Sequence, residues 1–185
     1  MASDILPLCF HSIPNGGFPV ISSLELRPLP PEAYVSAFGD SNDKLLRKSY
    51  RINCGYNDGP LRYPLDPYDR IWDADEDFSP YHVSAGFDVE SNFSLSNIKE
   101  SPPIAVLQSR ELQLLYRLPL DNQGDYHVVL YFAGILPVSP SFDVIINGEV
   151  VQSNYTVMQW EANSLFFSVK GIKTLNITLK TISYY

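Results

Sequence analysis

Residues 174–182, TLNITLKTI, alternate with a period of two: Leu175, Ile177 and Leu179 point one way, while Thr174, Asn176, Thr178 and Lys180 point the other. That repeat belongs to an extended strand, so the segment predicts a strand with one buried and one wet face. DYHVVLYFAG, 125–134, alternates Tyr126, Val128, Leu130 and Phe132 with His127, Val129 and Tyr131. Both of its faces are largely apolar, which predicts a more central strand. SFDVIINGEVVQ, 141–152, reads as strand, Asn147-Gly148 turn, strand, because Asn-Gly supplies the two positive φ angles of a two-residue hairpin. NSLFFSVKGIKTL predicts a second such reversal around Gly171. Further strands are expected at 19–27, 49–54, 104–109 and 112–118. In the last of these Leu112, Leu115 and Tyr116 also suit a helix, but its Tyr and Leu content and its neighbours favour β. Fifteen prolines and ten glycines punctuate these short strands. The pattern is that of an antiparallel β-sandwich.

Two stretches break it. Residues 28–45 are proline-rich and then polar, and read as a linker. Residues 56–103 are irregular, aromatic and acidic, and contain YPLDPYDRIW at 63–72. So much aromatic and charged hardware in a proline-broken loop has two readings, a binding site on a rigid scaffold or a structural clasp.

Thirteen basic against twenty-one acidic residues give a formal net charge of −8, which makes nucleic acid and anionic membrane poor partners. KLLRK at 44–48 is too short a basic run to alter that. The apolar run at 128–138 is far below the roughly 20 residues that span a bilayer. ILPLCF at 5–10 is broken by Pro7 and has no basic residue before it, so no signal peptide is visible. Three acceptor tripeptides, at Asn92, Asn154 and Asn176, nevertheless point to secretion, with glycan expected at Asn154 and on the wet strand face at Asn176, and the pair of observations is reconciled if the chain is a slice of a longer protein. Cys9 and Cys54 are too few for a disulfide framework. Cys54 is expected as a small buried residue and Cys9 as a loop thiol, with a Cys9–Cys54 bond as the alternative.

Catalytic signatures are missing. His11, His82 and His127 are scattered, and neither a nucleophile elbow nor a phosphate loop occurs. Asp73, Asp75 and Asp77 imitate the start of a calcium loop, but Phe78 and Ser84 stand where a Gly and a bidentate Glu are needed. Metal binding is therefore set aside, and a glycosidase accessory or hydrolytic domain stands only as a third reading, because acids within five residues of one loop are not two carboxylates facing each other across a cleft. Twelve tyrosines and two tryptophans remain. They either fill a β-core or stack on the apolar face of a sugar whose rim binds Asp, Asn and Tyr hydroxyls.

RINCGYNDG, 51–59, followed by YPLDPYDRIW resembles the opening of a malectin-like lobe, as found in plant receptor-like kinases and leucine-rich-repeat proteins described as diglucose-binding. YHVVLYFAGI and FDVIINGEVV resemble the paired strands of that family, and GGFPVISSLELRPLP the closing strand of a preceding lobe. The resemblance spans residues 17–185. It implies an all-β, jelly-roll-like antiparallel sandwich with long irregular loops. Residues 1–45 would be the strand remnant of a first lobe plus linker, and 46–185 a second lobe without its own closing strand. Residues 19–27 would then pair at the edge left open. The implied role is a non-enzymatic carbohydrate-binding module for diglucose or a cell-wall glycan, needing no cofactor, in an extracellular or cell-surface glycoprotein of signal transduction. The alternative is an ectodomain fragment that binds a secreted peptide or co-receptor without sugar affinity. Family ligand residues do not transfer one by one. The candidate contacts are the aromatics and acids gathered in 56–103: Tyr56, Tyr63, Tyr68, Asp69, Asp73, Asp75 and Tyr81. For the clasp, Arg70 is expected to pair with Asp66 or Asp69, with Trp72 and Tyr68 packing the loop.

Overall fold

The computed structural model describes residues 8, 9, 11, 14, 16, 22, 46–66, 68–75, 78, 94–97, 101–109, 115–135 and 139–184. In chain order they form β1 (Ile52–Asn53), β2 (Asp73–Ala74), β3 (Ser94–Asn97), α1 (Ile104–Gln108), β4 (Leu115–Ala133), β5 (Pro140–Ile146), β6 (Glu149–Thr156) and β7 (Glu161–Tyr184). The fold is all-β, of the antiparallel sandwich type. One five-stranded sheet runs β3-β7-β5-β6, with β4 also on β7, and β1 pairs with β2 in a small second sheet. The two short pairings, β1–β2 and β3–β7, are parallel; the long ones are antiparallel.

Strand β7 organises the sheet. Its residues 162–178 pair with β4 from Ala133 back to Leu115, and residues 177–184 pair with β5 from Ile146 back to Pro140. The alternation that marks 174–182 places Leu175 in the core. Asn176 on the other face is half-buried rather than wet, because β4 and the β5–β6 turn flank it.

That turn is Asn147-Gly148, with φ of 49° and 88°. Asn147 N–H donates to Asn176 O at 2.9 Å, and Asn176 N–H returns a 2.8 Å bond to Asn147 Oδ1, so the hairpin tip is pinned to β7.

Gly171 is not a reversal. Residues on both sides of it pair with the same neighbour, β4, so the chain continues in one direction. The irregularity lies across from it, where Pro119 pairs with Thr174 and Gly124 with Ile172, leaving extra residues bulged out of β4. Gly171 lends its positive φ of 64° to that bulge, accepting from Gln123 Nε2 at 3.1 Å and donating to Asp125 Oδ1 at 2.9 Å.

Residues 104–108 are helical, not extended. Pro103 enters at φ −63° and ψ 152°, its carbonyl accepts from Val106 N–H, and the Ser109 hydroxyl donates to Val106 O at 2.9 Å. Leu107 is buried while Ile104 is exposed, a one-sided turn that a short apolar run cannot distinguish from a strand. The 49–54 expectation shrinks to Ile52–Asn53, and that at 112–118 survives as Leu115–Leu118, with 112–114 outside the described residues. Of 19–27 only Ser22 is described, as an exposed bend, so the expected edge pairing lies outside the described residues. Cys54 is exposed, against the buried position expected, and Cys9 and Cys54 are not joined in a disulfide.

The core has two centres. Leu118, Leu120, Val128, Ile146 and Leu175 form one, and Phe142, Val144 and Val157 the other. Leu130, Val151 and Phe167 pack against both, which makes the apolar interior continuous. Gly134 marks a close approach, since a Cβ there would lie 1.9 Å from Met158 O.

Candidate recognition loop

The chain between β1 and β2 is tied at its base. Ile52 pairs with Asp73, and Leu61 and Trp72 exchange both backbone hydrogen bonds at 2.9 Å. Residues 62–71 thus form a closed loop on a fixed stem.

Two carboxylates shape it from within. Asp66 is fully buried. Its Oδ1 accepts from Tyr68 N–H at 2.9 Å, and its Oδ2 accepts from Arg70 Nε and from the Trp72 indole N–H, both at 2.8 Å. Arg70 is itself buried, donates onward to Ser101 O at 2.8 Å, and lies 5.3 Å from the Tyr68 ring centroid and 5.4 Å from that of Trp72. The ring faces supply negative potential to a guanidinium removed from water. The Trp72 indole continues inward to Tyr131 of β4, an edge contact at 6.0 Å. Asp69, also buried, accepts from Arg62 Nε at 2.9 Å, from the Arg62 terminal nitrogen at 2.7 Å, and from Tyr63 N–H at 2.8 Å. Its φ of 48° is one that Asp tolerates better than most side chains. Arg70 therefore pairs with Asp66, and Asp69 takes Arg62, a residue the sequence reading had not singled out.

With the carboxylates turned in, the rings and aliphatic chains turn out. Tyr63 is 68% exposed, Leu65 57%, Tyr68 41% and Ile71 40%. Large apolar groups so close together on a loop held by charge-assisted bonds suit a contact surface.

The remaining candidate contacts scatter. Tyr56 is half-buried and its carbonyl accepts from Asp75 N–H at 2.8 Å. Asp73 holds Lys48 at 2.9 Å on the surface. Asp75 is buried, with Oδ2 accepting from Gly55 N–H at 2.8 Å and from the Tyr116 hydroxyl at 3.0 Å. Burial pushes the Tyr116 hydroxyl pKa far up, and nearby Cys54 and Asp75 add to the shift, so this phenol keeps its proton. Tyr81 and the acceptor Asn92 lie outside the described residues. A separate depression of about 370 Å³ beside the β5–β6 turn, lined by Asn147, Glu149 and Lys170 among others, shares no residue with the loop.

A family model described as the malectin-like domain matches residues 1–183. The chain belongs to the malectin-like family. It is 33% identical over 172 residues to the nodulation receptor kinase of Pisum sativum, covering 87% of this chain and 18% of that protein. It is 28% identical over 179 residues to a probable LRR receptor-like serine/threonine-protein kinase of Arabidopsis thaliana, covering 89% and 19%. The malectin-like chain thus spans about a fifth of the length of these relatives. Among solved structures, the β-glucuronidase of Bacteroides uniformis superposes with a TM-score of 0.51 at 21% identity, over 72% of this chain and 16% of that one, a likeness of fold alone.

Proposed function

We propose that this malectin-like domain is a non-catalytic recognition module of an extracellular receptor-type protein, and that its ligand is a carbohydrate. The observation that carries the reading is the clasped loop, which offers two exposed tyrosine rings, Tyr63 and Tyr68, on a frame of buried carboxylates. Recognition gains when the binding groups are ordered before the ligand arrives, since less entropy is lost on docking. Here Asp66 holds the backbone N–H of Tyr68 and Asp69 that of Tyr63. Neither carboxylate is left over for proton transfer, because each is committed to an arginine and to backbone or indole N–H donors. The receptor-kinase relatives and the three acceptor sequons support an extracellular setting.

Stacking of sugar faces on two rings contributes about 0.5–1.5 kcal/mol each, and a few hydrogen bonds add a similar amount. After ordering costs the dissociation constant falls on the order of 0.1–1 mM. NMR titration with glucose- and galacturonate-containing oligosaccharides checks this. Tyr63→Ala and Tyr68→Ala should each weaken binding roughly two- to tenfold. Tyr63→Ala should leave the melting temperature in place, whereas Tyr68→Ala also removes a ring face from buried Arg70 and should lower it by about a few degrees. A second reading rests on Leu65 and Ile71, whose exposed aliphatic chains suit a peptide or co-receptor better than a sugar. Glycan titrations that shift no resonance, together with a secreted peptide that shifts Leu65 and Ile71, would replace the first reading with the second.

A further inference from the structure

Strand β6 is an edge strand among the described residues, paired only with β5. Edge strands expose unpaired N–H and C=O groups that can add a strand from another molecule. Near its end β6 is interrupted. Phe142 pairs with Tyr155 and Val144 with Gln152, so the single residue Asp143 faces two, Ser153 and Asn154. This is a β-bulge, and Asn154 sits in it at a φ of 47°. Its backbone N–H leaves the ladder and donates to Asp143 Oδ1 at 2.9 Å. The Asn154 side chain is exposed, and its amide makes no hydrogen bond among the described residues.

Asn154-Tyr155-Thr156 is an acceptor tripeptide. Asn176, in the other described tripeptide, differs in every respect. It lies mid-strand in β7, half-buried between Arg117 of β4 and the β5–β6 turn, and its amide donates to Asn147 Oδ1 at 3.3 Å.

We propose that Asn154 carries the N-linked glycan of this region, that Asn176 does not, and that the Asn154 glycan together with the bulge beneath it closes the β6 edge to strand addition. The attachment joins Asn154 Nδ2 to the anomeric carbon of a lipid-pyrophosphate-linked oligosaccharide. The sugar–phosphate C–O bond breaks, the lipid pyrophosphate leaves, and the amide loses one proton. A glycan is bulky and solvated, and at a position where the ladder has already bent outward it projects without displacing a strand. At Asn176 the same addition would crowd Arg117 and the turn that holds the amide. A plain preference of left-handed backbone for Asn also accounts for the residue at 154, and the experiment separates the two explanations.

The proposal rests only on the extracellular part of the function above, so a failed sugar titration leaves it standing. The full chain is secreted from eukaryotic cells behind a leader, and its glycopeptides are mapped. Asn154 should be modified in most molecules and Asn176 bare. Asn154→Gly deletes the acceptor while keeping a residue that accepts positive φ, and Thr156→Ala deletes the tripeptide while leaving Asn154 in place. Both variants should be secreted without that glycan and should sediment as dimers or larger species at concentrations where the parent is monomeric. A bare Asn154, or a modified Asn176, in the folded secreted protein overturns the site assignment. A modified Asn154 with both variants as monomeric as the parent overturns the edge role.

Discussion

Replacing Asp66 with alanine should be among the most damaging single changes in the recognition loop. Asp66 is fully buried and Arg70 nearly so, and their bond of 2.8 Å is accompanied by a 2.8 Å bond from the Trp72 indole. Removing the carboxylate strands a guanidinium that retains one carbonyl partner, Ser101 O, and two ring faces. Breaking one side of a buried pair costs about 3–5 kcal/mol. The orphaned indole N–H adds about 1–3 kcal/mol. Against a total stability of roughly 5–15 kcal/mol for a domain, the variant sits near the threshold of folding. At about 2–4 °C per kcal/mol for a chain of this length, the melting temperature falls by ten degrees or more. Asp69→Ala provides the contrast. Its partner Arg62 has a side chain 46% exposed, so water takes over much of the lost pairing and the cost is about 1–2 kcal/mol. Thermal and urea unfolding of both variants, with the Asp66→Ala/Arg70→Met double variant, checks the reasoning. The double variant should be more stable than Asp66→Ala alone, because no buried charge is left unpaired. An Asp66→Ala variant that loses no more stability than Asp69→Ala would show that the buried pair is not what holds the loop.

Tyr116 links stability to alkaline pH. The folded state holds the Tyr116 proton well above the ordinary value of 10.0, so below that pH both states carry it and stability is unaffected. Above it the unfolded chain releases a proton that the folded chain keeps, and stability falls by about 1.4 kcal/mol per pH unit. Urea unfolding between pH 10 and 11.5 should show a shallower decline for Tyr116→Phe, and an unchanged slope would refute the assignment. Gly134→Ala should cost at least about 2 kcal/mol, since its Cβ meets a backbone carbonyl that no rotamer change can clear. Calorimetry that finds the substitution neutral would show the 134–158 approach to be looser than described.

The parts of this structure legible in the sequence are those governed by local rules. Alternation places Leu175 inward, and Asn147-Gly148 turns because two adjacent positive φ angles are cheap for that pair. Gly171 misleads for a related reason. A glycine flanked by alternating residues signals positive φ, but whether the chain reverses or bulges depends on the partner strand, and β4 carries the compensating residues some fifty positions earlier in the chain. The helix at 104–108 hides in a run too short to show a period. In the loop, residue types announce charge and aromatics without revealing direction. Asp69 and Asp75 look like ligand contacts in a list of acids, yet both are buried and hydrogen-bonded within the fold, Asp75 through Oδ2. Arg62 stands seven residues from its partner Asp69, a separation that no local periodicity brings together.

Strand β7 carries a consequence for the order of events on the ribosome. It is the last of the described strands to be synthesised, and β3, β4 and β5 all pair with it. Of the five-stranded sheet, only the β5–β6 hairpin can close from neighbouring residues before 161–184 have emerged. Until then the apolar faces of β4 and β5 stand without their central partner, in a nascent chain whose long-range pairings are slow to form. Vectorial synthesis therefore presents the Asn154 tripeptide, on that early hairpin, to any modifying enzyme before the sheet around β7 can assemble.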